Sequence, residues 1–114
     1  MTNSGFAAQL AQDLDPEDLR MVLGVFRQDV ERLTGVLDAN VTAGDVAAFQ
    51  RTCHGLAGAA GAVGAAALEQ ACRIVMTSTD LRSADLAARQ TGIRALGAAA
   101  LDEMGTFLAV WPEA

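Results

Sequence analysis

Residues 45 to 64 read DVAAFQRTCHGLAGAAGAVG, an alanine- and glycine-rich run that holds the only histidine of the chain, His54. On an α-helix each residue adds about 100° of rotation, so apolar residues spaced three and four apart share one face. The run has such a face, and its spacing predicts a helix over residues 45 to 62. The buried stripe of this helix consists of Val46, Phe49, Cys53, Leu56, Ala60 and Val63.

His54 lies about 100° around this helix from Cys53, beside the stripe, and is expected to point toward solvent. Most of its neighbours one and two turns away have no atoms beyond Cβ, so the imidazole should stand above a shallow floor. Glycine costs about 1 kcal/mol relative to alanine inside a helix, yet Gly55, Gly58 and Gly61 fall within two turns. Two explanations stay open: close packing between helices, or a flat surface on which a second protein approaches His54.

A dense motif begins at the histidine and continues into the next helix: His54-x-Leu56-x-Gly58-x-x-x-x-x-Gly64, followed by Leu68 and Cys72. This motif resembles the signature of histidine-containing phosphotransfer (HPt) domains. The resemblance implies a four-helix bundle whose histidine, usually at Nε2, accepts a phosphoryl group from a receiver-domain aspartate and passes it to another receiver. The implied partners are receiver domains of response regulators or hybrid histidine kinases.

The resemblance also implies that the partner receiver supplies the magnesium ion and most catalytic groups. The chain itself would then need no cofactor and no metal, and would be a phosphocarrier rather than an enzyme. Such transfer depends more on in-line positioning and charge neutralisation than on covalent help.

The chain departs from the HPt pattern at two positions. Ala57 stands where the family usually has a lysine, and alignment through Cys72 places Met76 where it often has a glutamine. Because those groups hold the phosphate or orient the imidazole, we expect weaker transfer. Arg51, one turn before His54, is a candidate to replace the lysine, since a guanidinium binds phosphate oxygens through two hydrogen bonds. An ordinary solvated arginine is the alternative.

Other side chains around the histidine have possible roles. Gln50 is a candidate hydrogen-bond donor to the phosphate or to the partner's backbone, and Arg73 on the next helix is a second candidate cation. The predicted docking surface for the partner consists of Gly55, Ala57, Gly58 and Gly61.

Other functions of a single histidine are disfavoured by the rest of the sequence. A metal site would need companion ligands, and a hydrolytic triad would need a nucleophile motif. Neutral imidazole is nucleophilic near pH 7, because the unperturbed pKa of histidine is ~6.5. The main alternative is a degenerate adaptor that docks receivers without carrying phosphate, motivated by Ala57 and Met76. A helix-turn-helix DNA binder is a third possibility, which the acidic charge opposes.

Length and composition indicate one all-α domain over residues 1 to 114, in which 24 alanines favour helix. The net charge of −6, without lysine, would repel nucleic acid. Apolar runs break well before the ~20 residues of a membrane span, and no signal peptide is recognisable. We therefore expect a cytoplasmic monomer that binds neither nucleic acid nor membrane. Cys53 and Cys72 both fall on apolar stripes and are predicted to be buried thiols; a disulfide is unsupported.

The predicted architecture is an antiparallel up-down four-helix bundle with a short additional N-terminal helix. That short helix covers residues 4 to 13 and should close one end of the bundle, with Phe6, Leu10 and Leu14 facing inward. Asp15 and Pro16 begin the next helix, which should run to about residue 40. Its inward residues are Leu19, Leu23, Phe26, Val30, Leu33 and Leu37.

Two further helices complete the predicted bundle. The helix after Gly64 should bury Leu68, Cys72 and Val75. The last helix spans residues 84 to 110, and its small inward residues are expected to bring it close to the histidine helix. Pro112 should end it. The other inward positions of that helix are Leu86, Ile93, Gly97, Ala100, Met104, Phe107 or Leu108, and Trp111.

Overall fold

The computed structural model describes residues 5 to 111, and all regular structure within this range is helical. A single turn of 3-10 helix, Ser83–Asp85, leads directly into the last α-helix. The α-helices, in chain order, are α1 (Phe6–Leu10), α2 (Pro16–Ala43), α3 (Val46–Val63), α4 (Ala66–Met76) and α5 (Leu86–Val110).

α2 and α3, the helix that carries His54, begin at the residues that the sequence indicates. The Asp15 carboxylate accepts a hydrogen bond from the Asp18 backbone N–H at 2.9 Å, and Pro16 follows it as the first residue of α2. α2 runs to Ala43, three residues beyond the predicted end. Asp45 caps α3 in the same way, and Gly44 makes the sharp turn between the helices with a φ of 65°.

The helices form the predicted all-α bundle, in which chain neighbours pack against each other. α3 lies between α2 and α4, and α5 closes the bundle by packing on both α2 and α4. α5 is therefore diagonally opposite α3, so the expectation that it sits close to the histidine helix is wrong. Gly97 instead lets α5 approach α2, since a Cβ at Gly97 would lie 3.3 Å from Cγ1 of Val30.

The N-terminal helix packs over one end of the bundle, as predicted, but is shorter than residues 4 to 13. Phe6 is buried, and its ring meets the edge of Phe26 with centroids 5.6 Å apart. A Cβ on Gly64 would lie 3.9 Å from Cβ of Phe6, which places α1 beside the turn from α3 to α4. Leu10 and Leu14 are half-buried against the core. Residue 4 and Pro112 lie outside the described residues.

Most predicted core residues are buried, and the exceptions are informative. Val46 and Leu33 are only half-buried, whereas Thr34 is buried and donates its hydroxyl to the Val30 carbonyl at 2.7 Å. Of the inward positions on α5, Phe107, Leu108 and Trp111 are likewise half-buried. A buried hydroxyl that bonds the preceding turn satisfies itself, which is why a threonine is tolerated at an apolar interface.

A polar cluster between α2 and α5 has no counterpart in the predicted core. Gln90 is buried on α5, and its amide donates to the Thr34 carbonyl at 3.1 Å and to Asp38 Oδ1 at 2.7 Å. Arg94 forms an ion pair with the same carboxylate. Hydrogen bonds from Arg94 and Gln90 hold the pKa of Asp38 below its usual range. These bonds fix the position of α5 along the axis of α2.

The close approach of α5 to α2 can be tested at Gly97. Gly97→Leu should lower the free energy of unfolding by about 1–3 kcal/mol, because the added atoms must displace Val30 in a packed interface. Gly92→Leu is the matched control on the same helix, since a Cβ there meets nothing within 4 Å. Urea unfolding of both variants is the measurement. Equal stabilities would contradict the packing described here.

Candidate functional site

His54 lies in the middle of α3 and is exposed to solvent, as its rotation from the stripe predicts. Its chain neighbour Cys53 is fully buried, so the helix turns from core to surface within one residue. The imidazole is thereby carried on a rigid, packed helix rather than on a loop. A partner can reach it without any movement of the bundle.

Two of the three glycines near His54 leave open space on the surface. A Cβ at Gly58 would meet nothing within 4 Å, and one at Gly55 would meet only Cδ1 of Leu33 at 3.8 Å. Both residues are exposed. The surface of α3 from His54 toward α2 is therefore low and flat.

Gly61 has a different explanation. It is exposed, but a Cβ there would lie 3.0 Å from Oε2 of Glu69 on α4. With a Cβ there, the carboxylate end of Glu69 would have to shift by a few tenths of an ångström, so glycine gives Glu69 room to lie across α3. Of the two explanations of the glycines, helix packing therefore accounts for Gly61 and an open surface for Gly58.

The placement of Ala57 on the exposed docking surface is wrong. Ala57 is 2% exposed and belongs to the core. The reason is rotational: Ala57 is four residues after Cys53, only about 40° around the helix from it, and therefore falls inside the buried stripe. A lysine at this position would start from a buried Cβ, so Ala57→Lys is expected to disturb the packing of α3 before it adds a useful charge.

The assignment of Gln50 as a donor to phosphate is also wrong. Its Nε2 atom donates to the carbonyl of Val75 at 3.0 Å and to that of Ser78 at 2.8 Å. Both amide hydrogens are therefore used to hold the C-terminal end of α4 against α3. The Val75 carbonyl also accepts the Ser78 backbone N–H at 3.2 Å, whereas the Ser78 carbonyl, just beyond the end of α4, has Gln50 as its donor.

Two arginines remain as cations near the site. Arg51 is exposed, and among residues 5 to 111 it makes no hydrogen bond or ion pair. Arg73 on α4 is bound to Glu69, with its Nε and NH2 atoms 2.8 and 2.7 Å from Oε2. Met76, which replaces the usual glutamine, is half-buried and packs against the core. Sequence reasoning gave no signal of the Glu69 contact, apart from the spacing of four between Glu69 and Arg73.

Both cysteines are buried and free, as predicted. The hydrogen bond to Cys72, together with burial, raises the pKa of the Cys53 thiol. Although Cys53 is next to His54 in sequence, it is a packed core thiol and not a nucleophile. Its contact with Cys72 joins α3 to α4 at the level of the histidine.

An apolar groove between α2 and α3 adjoins the open surface at Gly55 and Gly58. The site predicted from the sequence does not include this groove. Met21 and Val25 are 60% and 52% exposed along one wall, and Ala59 and Ala62 form part of the other. The signal was present in the sequence, since both large residues are apolar yet lie off the core stripe of α2. Exposed apolar residues that cluster in this way are typical of a contact surface.

Two other features of the described residues bear on function. Residues 5 to 111 contain no group of three or more histidine, cysteine, aspartate or glutamate side chains that could hold a metal ion. In the same range, none of the helices has the length and apolar character needed to cross a membrane.

The comparisons with known proteins identify the family of the chain. The family model described as Hpt domain matches residues 21 to 106, which include α3, α4 and most of α2 and α5. The chain belongs to the Hpt domain family, whose members are phosphocarrier modules of two-component signalling. Comparison with curated proteins and with solved structures found no match.

The structural role of Gln50 leads to a stability prediction. Gln50→Ala should lower the free energy of unfolding by about 1–2 kcal/mol, because it removes both bonds and leaves the Ser78 carbonyl without a donor among residues 5 to 111. Gln70→Ala is the control, since Gln70 is exposed on α4 and makes no such bond. Urea unfolding compares the two variants. An unfolding free energy unchanged by Gln50→Ala would contradict this role.

Proposed function

We propose that this chain is a phosphorelay intermediate that accepts a phosphoryl group on His54 from a receiver-domain aspartate and passes it to a second receiver. The observation that carries the proposal is the placement of His54: it is exposed at mid-helix, beside the open surface at Gly58, in a chain of the Hpt family. It is also the only histidine of the sequence.

In the proposed transfer, the lone pair of an imidazole nitrogen, Nε2 by analogy with the family, attacks the phosphorus of the aspartyl phosphate. The N–P bond forms as the P–O bond to the aspartate breaks, and the aspartate leaves as a carboxylate. The other ring nitrogen holds the imidazole proton during this step. The reverse sequence returns the phosphoryl group to another receiver. The transition state needs alignment of the reacting groups and neutralisation of their charge. In the proposed transfer, the rigid α3 aligns the imidazole, and the receiver with its magnesium ion supplies most of the neutralising charge.

The receiver is proposed to dock over Gly55 and Gly58 and to extend toward the groove at Met21 and Val25. The glycines allow its backbone and aspartate to come close to His54, and the groove offers apolar surface to bury. An interface with an apolar centre and a nearby reactive group suits a short-lived complex. The proposed partners are receiver domains of response regulators and of hybrid histidine kinases. We further propose that the chain acts in the cytoplasm as a monomer, without binding nucleic acid.

Phosphorylation of His54 is the first test of this function. A phosphorylated receiver should label the chain, and the label should be acid-labile and alkali-stable, as expected for a phosphoramidate bond. His54→Gln should abolish the label while leaving the helical circular dichroism unchanged, because the side chain is exposed. Label that persists in His54→Gln would show that another residue is the acceptor.

The adaptor alternative remains the second candidate, because Ala57 and Met76 provide no polar group for a phosphate. Ala57 is buried and Met76 packs against the core. The same assay separates the two functions when receiver binding is measured in parallel. The adaptor would be favoured if a receiver binds the natural chain and His54→Gln with equal affinity but never transfers label to the natural chain.

The docking surface gives a further prediction. Gly58→Glu should reduce the transfer rate by at least about tenfold, equivalent to about 1.4 kcal/mol, because it adds bulk and negative charge beside the incoming phosphoryl group. Gly92→Glu is the matched control, since this glycine is also open to solvent but lies on α5, diagonally opposite α3. The initial rate of labelling is the measurement. If both variants transfer at the natural rate, the receiver docks on a different surface.

A further inference from the structure

The ion pair between Glu69 and Arg73 lies on the side of α4 that faces α3. The Glu69 carboxylate would meet a Cβ at Gly61 of α3 at 3.0 Å, and Arg73 is bound to that carboxylate at 2.7 Å. Gly61 and His54 are seven residues apart, so they share one edge of α3 at a separation of about 10 Å along its axis. The histidine and the ion pair therefore lie along the same side of α3, the side that faces α4.

The position of Arg73 relative to His54 along the helix axes follows from the contacts that join α3 and α4. Gln50 bonds the carbonyl of Val75, Cys53 contacts Cys72, and Gly61 lies against Glu69. As residue numbers rise along α3, those of their partners fall along α4, so the helices are antiparallel. His54, which follows Cys53, is level with the turn of α4 that contains Cys72 and Arg73. From that turn the Arg73 guanidinium reaches toward the Glu69 carboxylate, which lies against Gly61.

We propose that Arg73 leaves Glu69 and binds the phosphoryl group when His54 carries one, so that Glu69 and the phosphoryl group compete for a single guanidinium. This inference rests on the proposed function, since it requires phosphorylated His54. Arg73 is 54% exposed and Glu69 is 27% exposed, so the arginine can rotate without opening the core. A phosphoryl group has more charge than a carboxylate and accepts two parallel hydrogen bonds from a guanidinium.

Competition also explains why the cation is held beside an acidic group. Without phosphate, Glu69 neutralises the charge of Arg73 and holds its side chain beside α3. Once His54 is phosphorylated, exchange of the arginine leaves Glu69 exposed to the negative charge of the phosphoryl group. That repulsion limits the net stabilisation, so the phosphoryl group is held but can still be passed on. Arg73 is thus a phosphate-binding residue of the phosphorylated state.

The test uses phosphoramidate, a small donor that phosphorylates imidazole with release of ammonia and needs no receiver. The pH midpoint for ionisation of the phosphoryl group on His54 is followed by ³¹P NMR at about 0.15 M salt, where remote charges are screened. Arg73→Gln should raise the midpoint by about 0.2–0.7 pH unit, the range expected for loss of an exposed ion pair. Glu69→Gln should lower it, because Arg73 is then free to bind the phosphoryl group continuously.

The opposite signs separate this proposal from a purely structural role, since both variants break the same ion pair and would change stability in the same direction. In the Arg73→Gln background, the effect of Glu69→Gln should shrink, which a double-mutant cycle measures. Arg89→Gln removes an equal charge from exposed α5 and should leave the midpoint unchanged. Arg51→Gln tests the other cation near His54.

Two results would overturn the inference: a midpoint in Arg73→Gln no different from that in Arg89→Gln, or independent effects of Arg73 and Glu69 in the cycle. Failure of phosphoramidate to modify His54 would also count against it. The proposed relay function is tested separately by labelling from receivers. If the midpoints shift as predicted but no receiver labels the chain, the exchange of Arg73 stands and the relay function is contradicted.

Discussion

The central constraint on this fold is that α3 packs on both α2 and α4 while His54, in the middle of α3, stays exposed to solvent. The contact between Cys53 and Cys72 joins α3 to α4 next to the histidine, because small thiols let the two helices approach closely. One residue later, rotation by about 100° brings the imidazole to the surface. Since α5 lies diagonally opposite and α1 contacts α3 near Gly64, α3 packs along its length on α2 and α4 and keeps the face with His54 exposed.

The stripe of α3 and the caps at Asp15 and Asp45 were predictable because they depend on local spacing and on hydrogen bonds within a few residues. The placement of Ala57 failed because three residues after His54 is also four after Cys53, and the width of the buried stripe depends on where the neighbouring helices sit. The bonds of Gln50 to α4 and the contact of Gly61 with Glu69 were not predictable, since they depend on the level at which two helices meet.

The position of the last helix shows the same limit from another direction. Its small residues were correctly interpreted as a close contact, but sequence spacing could not say which helix Gly97 approaches. The buried Gln90 was missed because a glutamine on an otherwise apolar face reads as a surface residue unless its partners are known. Those partners, Thr34 and Asp38, are more than 50 residues away in sequence.

Of the two arginines near His54, only Arg51 is unpaired among residues 5 to 111, and this small amount of positive charge suits the proposed carrier function. Every 1.4 kcal/mol by which a site stabilises the bound phosphoryl group slows or disfavours its onward transfer by about tenfold. A permanently free lysine beside the imidazole would add such stabilisation at every stage. A cation already neutralised by a carboxylate adds only the difference between its two interactions. In the proposed relay, the receiver and its magnesium ion would supply the remaining positive charge to this lysine-free chain only while docked.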